Sequence, residues 1–316
     1  MLTLLKLLGD GKFHSGEALG EALGVSRTAV WKQLQLLESE LGIEIHKVRG
    51  KGYQLSSPLA LLRSEDDVNS HGWPVFIFES IDSTNAAALK LVAEQRPTPL
   101  VVMAERQTAG RGRRGRKWVS PFGENLYYSL ALRIEGGMRQ IEGLSLVIGL
   151  AVLKTLRSAG VHGAGLKWPN DVLVGRQKVA GILLELVGDP ADVCHVIIGV
   201  GINVNMRATD HVDQLWTSVR LETGLLMDRS RLAAELSVNI NAYLAVHQGQ
   251  GFEALRAEWE RNHLWQGCAV SLIAGSEVVD GTVLGIDSQG ALRLRVGSDE
   301  KVFSGGELSL RLRDDT

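Results

Sequence analysis

The 316-residue sequence has only two cysteines, Cys194 and Cys268, 74 positions apart. So sparse a set excludes a disulfide framework and a zinc site built on paired cysteines, and it fits a reducing compartment. Charge of one sign is also missing: Lys plus Arg total 34 and Asp plus Glu 36, a net of −2. That balance excludes a strongly basic nucleic-acid coat protein and an acidic disordered tail. No apolar run approaches the roughly 20 residues of a membrane span, and Val147–Leu153 is broken by Gly149. The apolar start, Met1–Leu8, is too short for a signal-peptide core, and no small-residue cleavage pattern follows it. The expectation is a soluble, cytoplasmic protein with no membrane partner.

Glycine, by contrast, is in excess, at 36 residues against a usual share of about 7%. Much of the backbone must turn tightly or approach a ligand closely. The length is too great for one comfortable core and suggests two or three domains.

Residues 1–57 follow their own grammar. Leucines at 2, 4, 5, 7 and 8 predict a short helix closed by Gly9-Asp10-Gly11. Ser15 stands as the N-cap of a helix over 16–23, and Ser26 as that of a third over 27–41. Val30, Leu34, Leu37 and Leu41 give the third helix one apolar face. Two helices joined across Gly24-Val25-Ser26 form a helix-turn-helix pattern. The opposite face carries Thr28, Trp31, Lys32 and Gln35, with Arg27 at the end where a recognition helix meets base edges. Runs 43–45 and 53–55 flank a basic tip bearing Lys47, Arg49 and Lys51, the outline of a wing suited to phosphates. A small helical interaction domain fits the same pattern. Seven Lys/Arg against six Asp/Glu leave this segment at only +1, so one copy should bind DNA weakly. A specific repressor would need two copies on two half-sites.

After the linker Ser56-Ser57-Pro58, the most informative stretch is Gly110–Trp118, which packs five positive charges and no acid into residues 111–117. Interleaved glycines disfavour a helix and let backbone wrap a ligand, and arginine forks suit carboxylates and phosphates. A nonspecific nucleic-acid tail or a solvated turn competes with this reading. Strand-like runs at 100–104 and 125–132 enclose the segment, however, and five like charges are costly without a counterion. An internal anion-binding loop, ordered by its anion, is favoured.

A second cluster, Lys167-Trp168-Pro169-Asn170-Asp171, precedes Val172–Val174, the turn Gly175-Arg176-Gln177 and the run 178–186. It reads as a hairpin across which Lys167, Lys178 and Asp171 could converge, the composition of a phosphate-plus-metal site. Taken alone, it is equally an exposed hairpin with scattered charges. A third cluster, His195–Asn205, contains Gly199-Val200-Gly201. It lacks the third glycine of a dinucleotide fingerprint and reads as a strand whose glycines leave room for a ligand, with Asn203 as a polar contact. Met206–Leu215 reads as an irregular loop, and Trp216 after it could stack on a base.

Together these residues resemble the biotin–protein ligases, specifically the bifunctional bacterial form that doubles as the biotin-operon repressor. The resemblance rests on the helix-turn-helix head, Asp82-Ser83-Thr84-Asn85, Gln107-Thr108-Ala109 leading into Gly110–Trp118, Lys167–Asp171, Lys178–Leu183 and Gly199–Asn203. It implies that biotin's carboxylate attacks the α-phosphate of MgATP to give biotinyl-5′-AMP and pyrophosphate. A lysine of the biotin carboxyl carrier protein of acetyl-CoA carboxylase then takes the biotinyl group. The implied biotin site comprises Ser83, Thr84, Asn85, Gln107, Gly110, Arg111, Gly112, Arg113, Lys178 and Gly181. Lys178, Arg113, Arg116 and Asp171 would serve the chemistry. Arg116, Trp118, Lys167, Asn170, Asn203 and Trp216 would hold ATP and the adenylate, with Trp216 against adenine and Asp171 on Mg²⁺ or the incoming lysine. Arg27, Thr28, Trp31, Lys32, Gln35, Lys47, Arg49 and Lys51 would meet operator DNA, in a homodimer promoted by biotinyl-5′-AMP.

The implied fold is α+β and multidomain. It has a winged helix-turn-helix over 1–57, a mixed α/β ligase domain over 58–264, and an SH3-like β-barrel over 265–316. Helix-like stretches at 84–95, 141–159 and 229–247, and short alternating runs after Trp265, agree with it. His195, His211, His247 and His263 read as structural or surface residues, and both cysteines as packing residues. The alternatives are a ligase whose head does not repress (Trp31 on the reading face is the reason), an anion-sensing transcription factor, and a lipoate–protein ligase.

Overall fold

The computed structural model describes residues 2–64, 68, 72–135, 140–189, 193–209, 212, 214–305 and 308–313. The head forms helices α1 (Leu2–Leu8), α2 (Gly16–Leu23) and α3 (Arg27–Leu41). Ser15 and Ser26 accept from Ala18 N–H and Ala29 N–H, closing the first turns of α2 and α3 as their N-caps. Gly20 lets the two helices approach: a Cβ there would stand 2.7 Å from Val25 O. Val30, Leu34 and Leu37 are buried with Leu4, Leu5, Leu8 and Leu19 in one core.

The wing strands differ from expectation. They are β1 (Ile45–Val48) and β2 (Gly52–Leu55), so pairing runs into the basic tip and Ile43 lies outside the ladder, packed on the head's core. Pairing of Lys47 with Tyr53 and of Val48 with Gly52 satisfies backbone groups that a wider loop would leave to solvent.

The central sheet has seven strands: β3 (Val75–Phe78), β4 (Leu100–Ala104), β5 (Leu126–Glu135), β6 (Ala164–Lys167), β7 (Asp171–Val174), β8 (Gln177–Gly188) and β9 (Val193–Ile202). Their order is β3-β4-β5-β9-β8-β7-β6, with β3 and β4 parallel and the rest antiparallel. The β3–β4 crossover contains helix α4 (Thr84–Ala93), as a parallel connection requires. Period-two burial sorts the faces. Val101 and Met103 join the main core under α5 (Leu144–Ser158), whereas Leu100, Val102 and Ile197 pack with Ala87 and Ala88 of α4.

Helices α6 (Val219–Thr223), α7 (Arg229–Gln250) and α8 (Glu253–Arg261) follow; α6 and α8 were not foreseen. The C-terminal part is a five-stranded antiparallel sheet of β10 (Ala269–Ala274), β11 (Glu277–Ile286), β12 (Leu292–Val296), β13 (Asp299–Phe303) and β14 (Leu308–Leu312). Its order is β13-β12-β11-β10-β14. Val270, Leu272, Val283 and Leu292 extend the main core into this sheet. Among the described residues, no helix is long and apolar enough to cross a membrane.

Candidate active site

The cavity is laid out by sheet register. One row of paired residues crosses five strands: Tyr127 of β5, Gly201 of β9, Gly181 of β8, Asp171 of β7 and Lys167 of β6. The adjacent row carries Ser129, Gly199 and Leu183. Paired positions share a face, and this face is the one α4 covers further along, at Ala131 and Ile197. A Cβ at Gly199 would stand 2.5 Å from Asn85 Oδ1, and one at Gly201 2.5 Å from Trp118 Cε2. Gly199 and Gly201 line the cavity as expected, and Asn85 and Trp118, which line it too, press closely against them.

Strand parity alone would put Lys178, three residues before Gly181, on the opposite face. A bulge in the β7–β8 pairing sets Val172 against Ala180 but Leu173 against Lys178, leaving Val179 as the extra residue. The bulge turns Lys178 toward the cavity, where its Nζ lies 2.6 Å from Asp171 Oδ1. From outside, Lys178 N–H donates to Leu215 O and Lys178 O accepts Thr217 N–H, both at 3.0 Å. The Asn203 amide donates to Thr217 O at 3.0 Å and Lys178 O at 3.3 Å, so its N–H groups brace this backbone.

Lys167 Nζ lies 3.6 Å from Asp171 Oδ2 and 4.9 Å from the Trp265 ring centroid. Burial pushes the Lys167 ammonium below the ordinary lysine range; Lys178 and Arg116 add repulsion that Asp171 opposes. Burial pushes the Asp171 carboxyl up, but Lys178 and Lys167 outweigh it and hold the group below the usual carboxylate range. The result is a buried carboxylate between two cations, with an excess of positive charge facing the cavity.

The glycine–arginine segment is a closed hairpin. Trp118 N–H donates to Gly110 O at 2.9 Å and Gly112 N–H to Arg116 O at 2.7 Å, around one 3₁₀ turn in which Arg114 is left-handed at φ 59°. Gly110 is buried in the stem, where a Cβ would meet Trp118 O at 2.5 Å. Arg111 pairs with Glu185 at 3.0 Å; Arg113 donates to Asn170 Oδ1 at 2.8 Å and to Leu308 O of β14 at 3.3 Å. Arg114, Arg116 and Lys117 stay exposed. Trp118 lies under Lys178, Nζ to ring centroid 5.4 Å, and its buried Nε1 meets no acceptor among the described residues.

The cavity measures about 390 Å³, within the range of small-molecule sites. It brings together Ser83, Thr84, Asn85 and Gln107 on one wall, Arg111, Gly112, Arg113, Arg116 and Trp118 on the hairpin, and Lys167, Asn170, Asp171, Lys178 and Gly181 opposite. Asn203 and Trp216 line a smaller adjoining hollow with Trp118, Lys117 and Lys178. The wall is pinned by Gln107 Oε1, which accepts from Thr84 N–H at 2.9 Å and Thr84 Oγ1 at 3.1 Å. It thereby satisfies the start of α4, where Ser83 makes no side-chain cap.

Glu105, Arg106 and Gln107 tie this wall to the head. Glu105 accepts Leu62 N–H at 2.6 Å and pairs with the fully buried Arg229, which donates to Ala60 O at 2.9 Å and Asn125 O at 3.0 Å. The Arg106 guanidinium donates to Glu40 O in the last turn of α3. In the head, Arg27, Thr28, Trp31, Lys32, Gln35, Lys47, Arg49 and Lys51 are all exposed, although Lys47 is paired with Glu38 of α3 at 2.6 Å.

Sequence comparisons agree from end to end. A model of the biotin/lipoate A/B protein ligase family matches residues 77–203, an HTH domain model matches 1–54, and a biotin protein ligase C terminal domain model matches 267–311. The chain is 43% identical to the bifunctional ligase/repressor BirA of Salmonella typhimurium, over 98% of this chain and 97% of that protein. The chain belongs to the biotin protein ligase family. It is also 37% identical to the biotin–[acetyl-CoA-carboxylase] ligase of Paracoccus denitrificans, over 72% of this chain and 96% of the other. The structure of the Aquifex aeolicus biotin protein ligase in complex with biotin and ATP matches at a TM-score of 0.67 and 30% identity. That match covers 76% of this chain and 99% of the other.

In this biotin protein ligase, sequence reading missed Ser129, Glu185, Tyr127 and residues 308–310 of β14. Ser129 touches Thr84 and Asn85, Glu185 holds Arg111, and the others line the cavity. Ser129 and Glu185 are each a lone polar residue in an apolar strand run, a signal available in the sequence because buried polar groups need partners. The Asp171 carboxylate lies between two ammonium groups, and no group of three His, Cys, Asp or Glu side chains suited to a metal occurs among the described residues.

Of the histidines, His247 Nε2 lies 2.9 Å from Glu142 O and is buried, His263 is buried against Trp259, and His195 is half-buried on β9; His211 lies outside the described residues. Cys194 is buried in the main core and Cys268 packs at its edge.

Proposed function

We propose that this chain is an ATP-dependent biotin–protein ligase that also represses the biotin operon. It makes biotinyl-5′-AMP and transfers biotin to a lysine of the biotin carboxyl carrier protein. The observation that carries this reading is the convergence of Lys178, Lys167 and Asp171 beneath the arginine hairpin. Two anionic reactants must meet, and cations fixed in a poorly hydrated site lower that barrier directly.

In the first step a biotin carboxylate oxygen bonds to the α-phosphorus of ATP and the bond to pyrophosphate breaks. Lys178 balances the carboxylate and α-phosphate, and Lys167 and Arg116 the departing phosphates; Mg²⁺ enters as part of the nucleotide substrate. Ser83, Thr84, Asn85 and Gln107 hold the ureido end, and Arg111–Arg113 cover it. Trp118 and Trp216 flank the adenylate. In the second step the acceptor amine attacks the acyl carbon, AMP leaves, and one proton is released. Enclosing the anhydride protects it from water.

The division into 1–57, 58–264 and 265–316 belongs to the same reading, as do a cytoplasmic location and a homodimer promoted by biotinyl-5′-AMP. The dimer would supply the second head that a net charge of +1 demands. Purified protein with ATP, Mg²⁺, biotin and a carrier domain should label the carrier on a streptavidin blot, and absence of label defeats the ligase reading. A gel shift on biotin-operon DNA should strengthen with biotin plus ATP; equal shifts in both lanes defeat coupled repression alone.

A further inference from the structure

We infer that Glu185 is a positioning residue that fixes the hydrogen-bond polarity of Asn85 and Ser129 on the ligand wall; this rests on the biotin reading of the cavity. Glu185 stands on β8 on the cavity face, one row beyond Leu183 and opposite Ile197. Its Oε2 accepts from Asn85 Nδ2 at 2.6 Å and from Arg111 Nη2 at 3.0 Å. The Ser129 hydroxyl sits between Asn85 Oδ1 at 2.6 Å and Thr84 Oγ1 at 2.8 Å. Thr84 N–H and Oγ1 both reach Gln107 Oε1, and Gln107 Nε2 donates to Ser120 Oγ at 3.0 Å. Ser120 Oγ donates in turn to Trp118 O at 3.1 Å. The relay thus begins on Arg111 and ends on Trp118, the two sides of the arginine hairpin.

Thr84 N–H can only donate and Trp118 O can only accept, which fixes Gln107 and Ser120 between them; the Asn85 amide and the Ser129 hydroxyl could each point either way. A carboxylate only accepts. Glu185 therefore requires Asn85 to present Nδ2 to it and Oδ1 to Ser129, whose hydroxyl then donates to Asn85. A bicyclic urea offers N–H donors beside a carbonyl acceptor, so a wall of fixed polarity recognises it and one of mixed polarity does not. The second contact, to Arg111, anchors the hairpin to the same oxygen and links recognition to closure.

Glu185→Gln keeps the shape and removes the constraint. In the full chain it should raise the biotin KM about ten-fold while kcat stays within about two-fold, the signature of lost binding rather than lost chemistry. The melting temperature should stay at the wild-type value. The increase should persist in an Arg111→Met background, since it passes through Asn85. An unchanged KM, or an effect that vanishes with Arg111 replaced, overturns the inference. Ser129→Ala cuts the same relay from its middle and should reproduce the KM increase; an unchanged KM there also overturns it. Wild-type protein that binds no biotin by calorimetry would instead remove the ligase reading.

Discussion

The head and the ligand cavity both depend on basic side chains, and they deploy them in opposite ways. In the head, Arg27, Lys32, Arg49 and Lys51 stand exposed, and Lys47 is neutralised by Glu38 of the same domain. In the cavity, Lys167 and Lys178 are 19% and 16% exposed and share one carboxylate, itself 15% exposed. Exposed charges are screened within about 10 Å at 0.1 M salt, so the head's affinity grows only with the number of phosphates it meets. Charges removed from water act at low dielectric on whatever enters. Few charges suffice for chemistry when they are buried and fixed, whereas in the proposed homodimer the exposed head would gain its affinity by doubling its phosphate contacts.

Five changes test that contrast, from the largest effect down. Arg229→Met leaves Glu105 buried without its counter-charge and frees the Ala60 carbonyl just past the linker. It should cost about 3–5 kcal/mol in urea unfolding and weaken both halves together; a loss confined to one half would show that the linker does not join them.

Acid should act on the catalytic half. Burial pushes His263 down to about 4, while in the unfolded chain it titrates near 6.5. The unfolded state therefore takes up a proton that the folded state refuses. Stability is full above pH 6.5 and falls by roughly 3 kcal/mol toward pH 4. His263→Leu should flatten that part of the pH–stability curve, and an unaltered slope would reject the assignment.

Gly201→Ala drives a methyl into Trp118, an overpacking of about 1–3 kcal/mol, and should raise the KM for ATP without changing DNA affinity. Smallest are the wing changes. Arg49→Ala should weaken operator binding by less than about 1 kcal/mol and reduce the salt slope by about 1. Lys47→Ala should do less, because Glu38 already holds that charge. Equal effects from the two would mean that the Lys47–Glu38 pair opens on DNA.

The head was legible almost residue by residue, because caps, turn and apolar spacing are local: Ser15, Ser26 and the bounds of α1, α2 and α3 all stand where the pattern put them. Its wing was misjudged by two or three residues, since strand ends depend on a partner. In the cavity, residue types were legible and their geometry was not. The convergence of Lys167, Lys178 and Asp171 was open in the sequence because it rests on a bulge at Val179 and on a register spanning five strands. Gly199 and Gly201 were read as facing ligand space and do line the cavity; the close contacts with Asn85 and Trp118, distant in sequence, were not legible. Glu105 and Arg229, 124 residues apart, carry no local signal of their pairing.

The central claim, that Lys178, turned inward by the β7–β8 bulge, activates biotin with ATP, is tested most directly by biotin-dependent exchange of labelled pyrophosphate into ATP. That assay reads the first step without carrier protein or DNA. The account predicts exchange in the wild type only when biotin is present, loss of it in Lys178→Met, and wild-type exchange in Arg27→Ala/Lys32→Ala. Exchange that persists in Lys178→Met, or that proceeds without biotin, would contradict it.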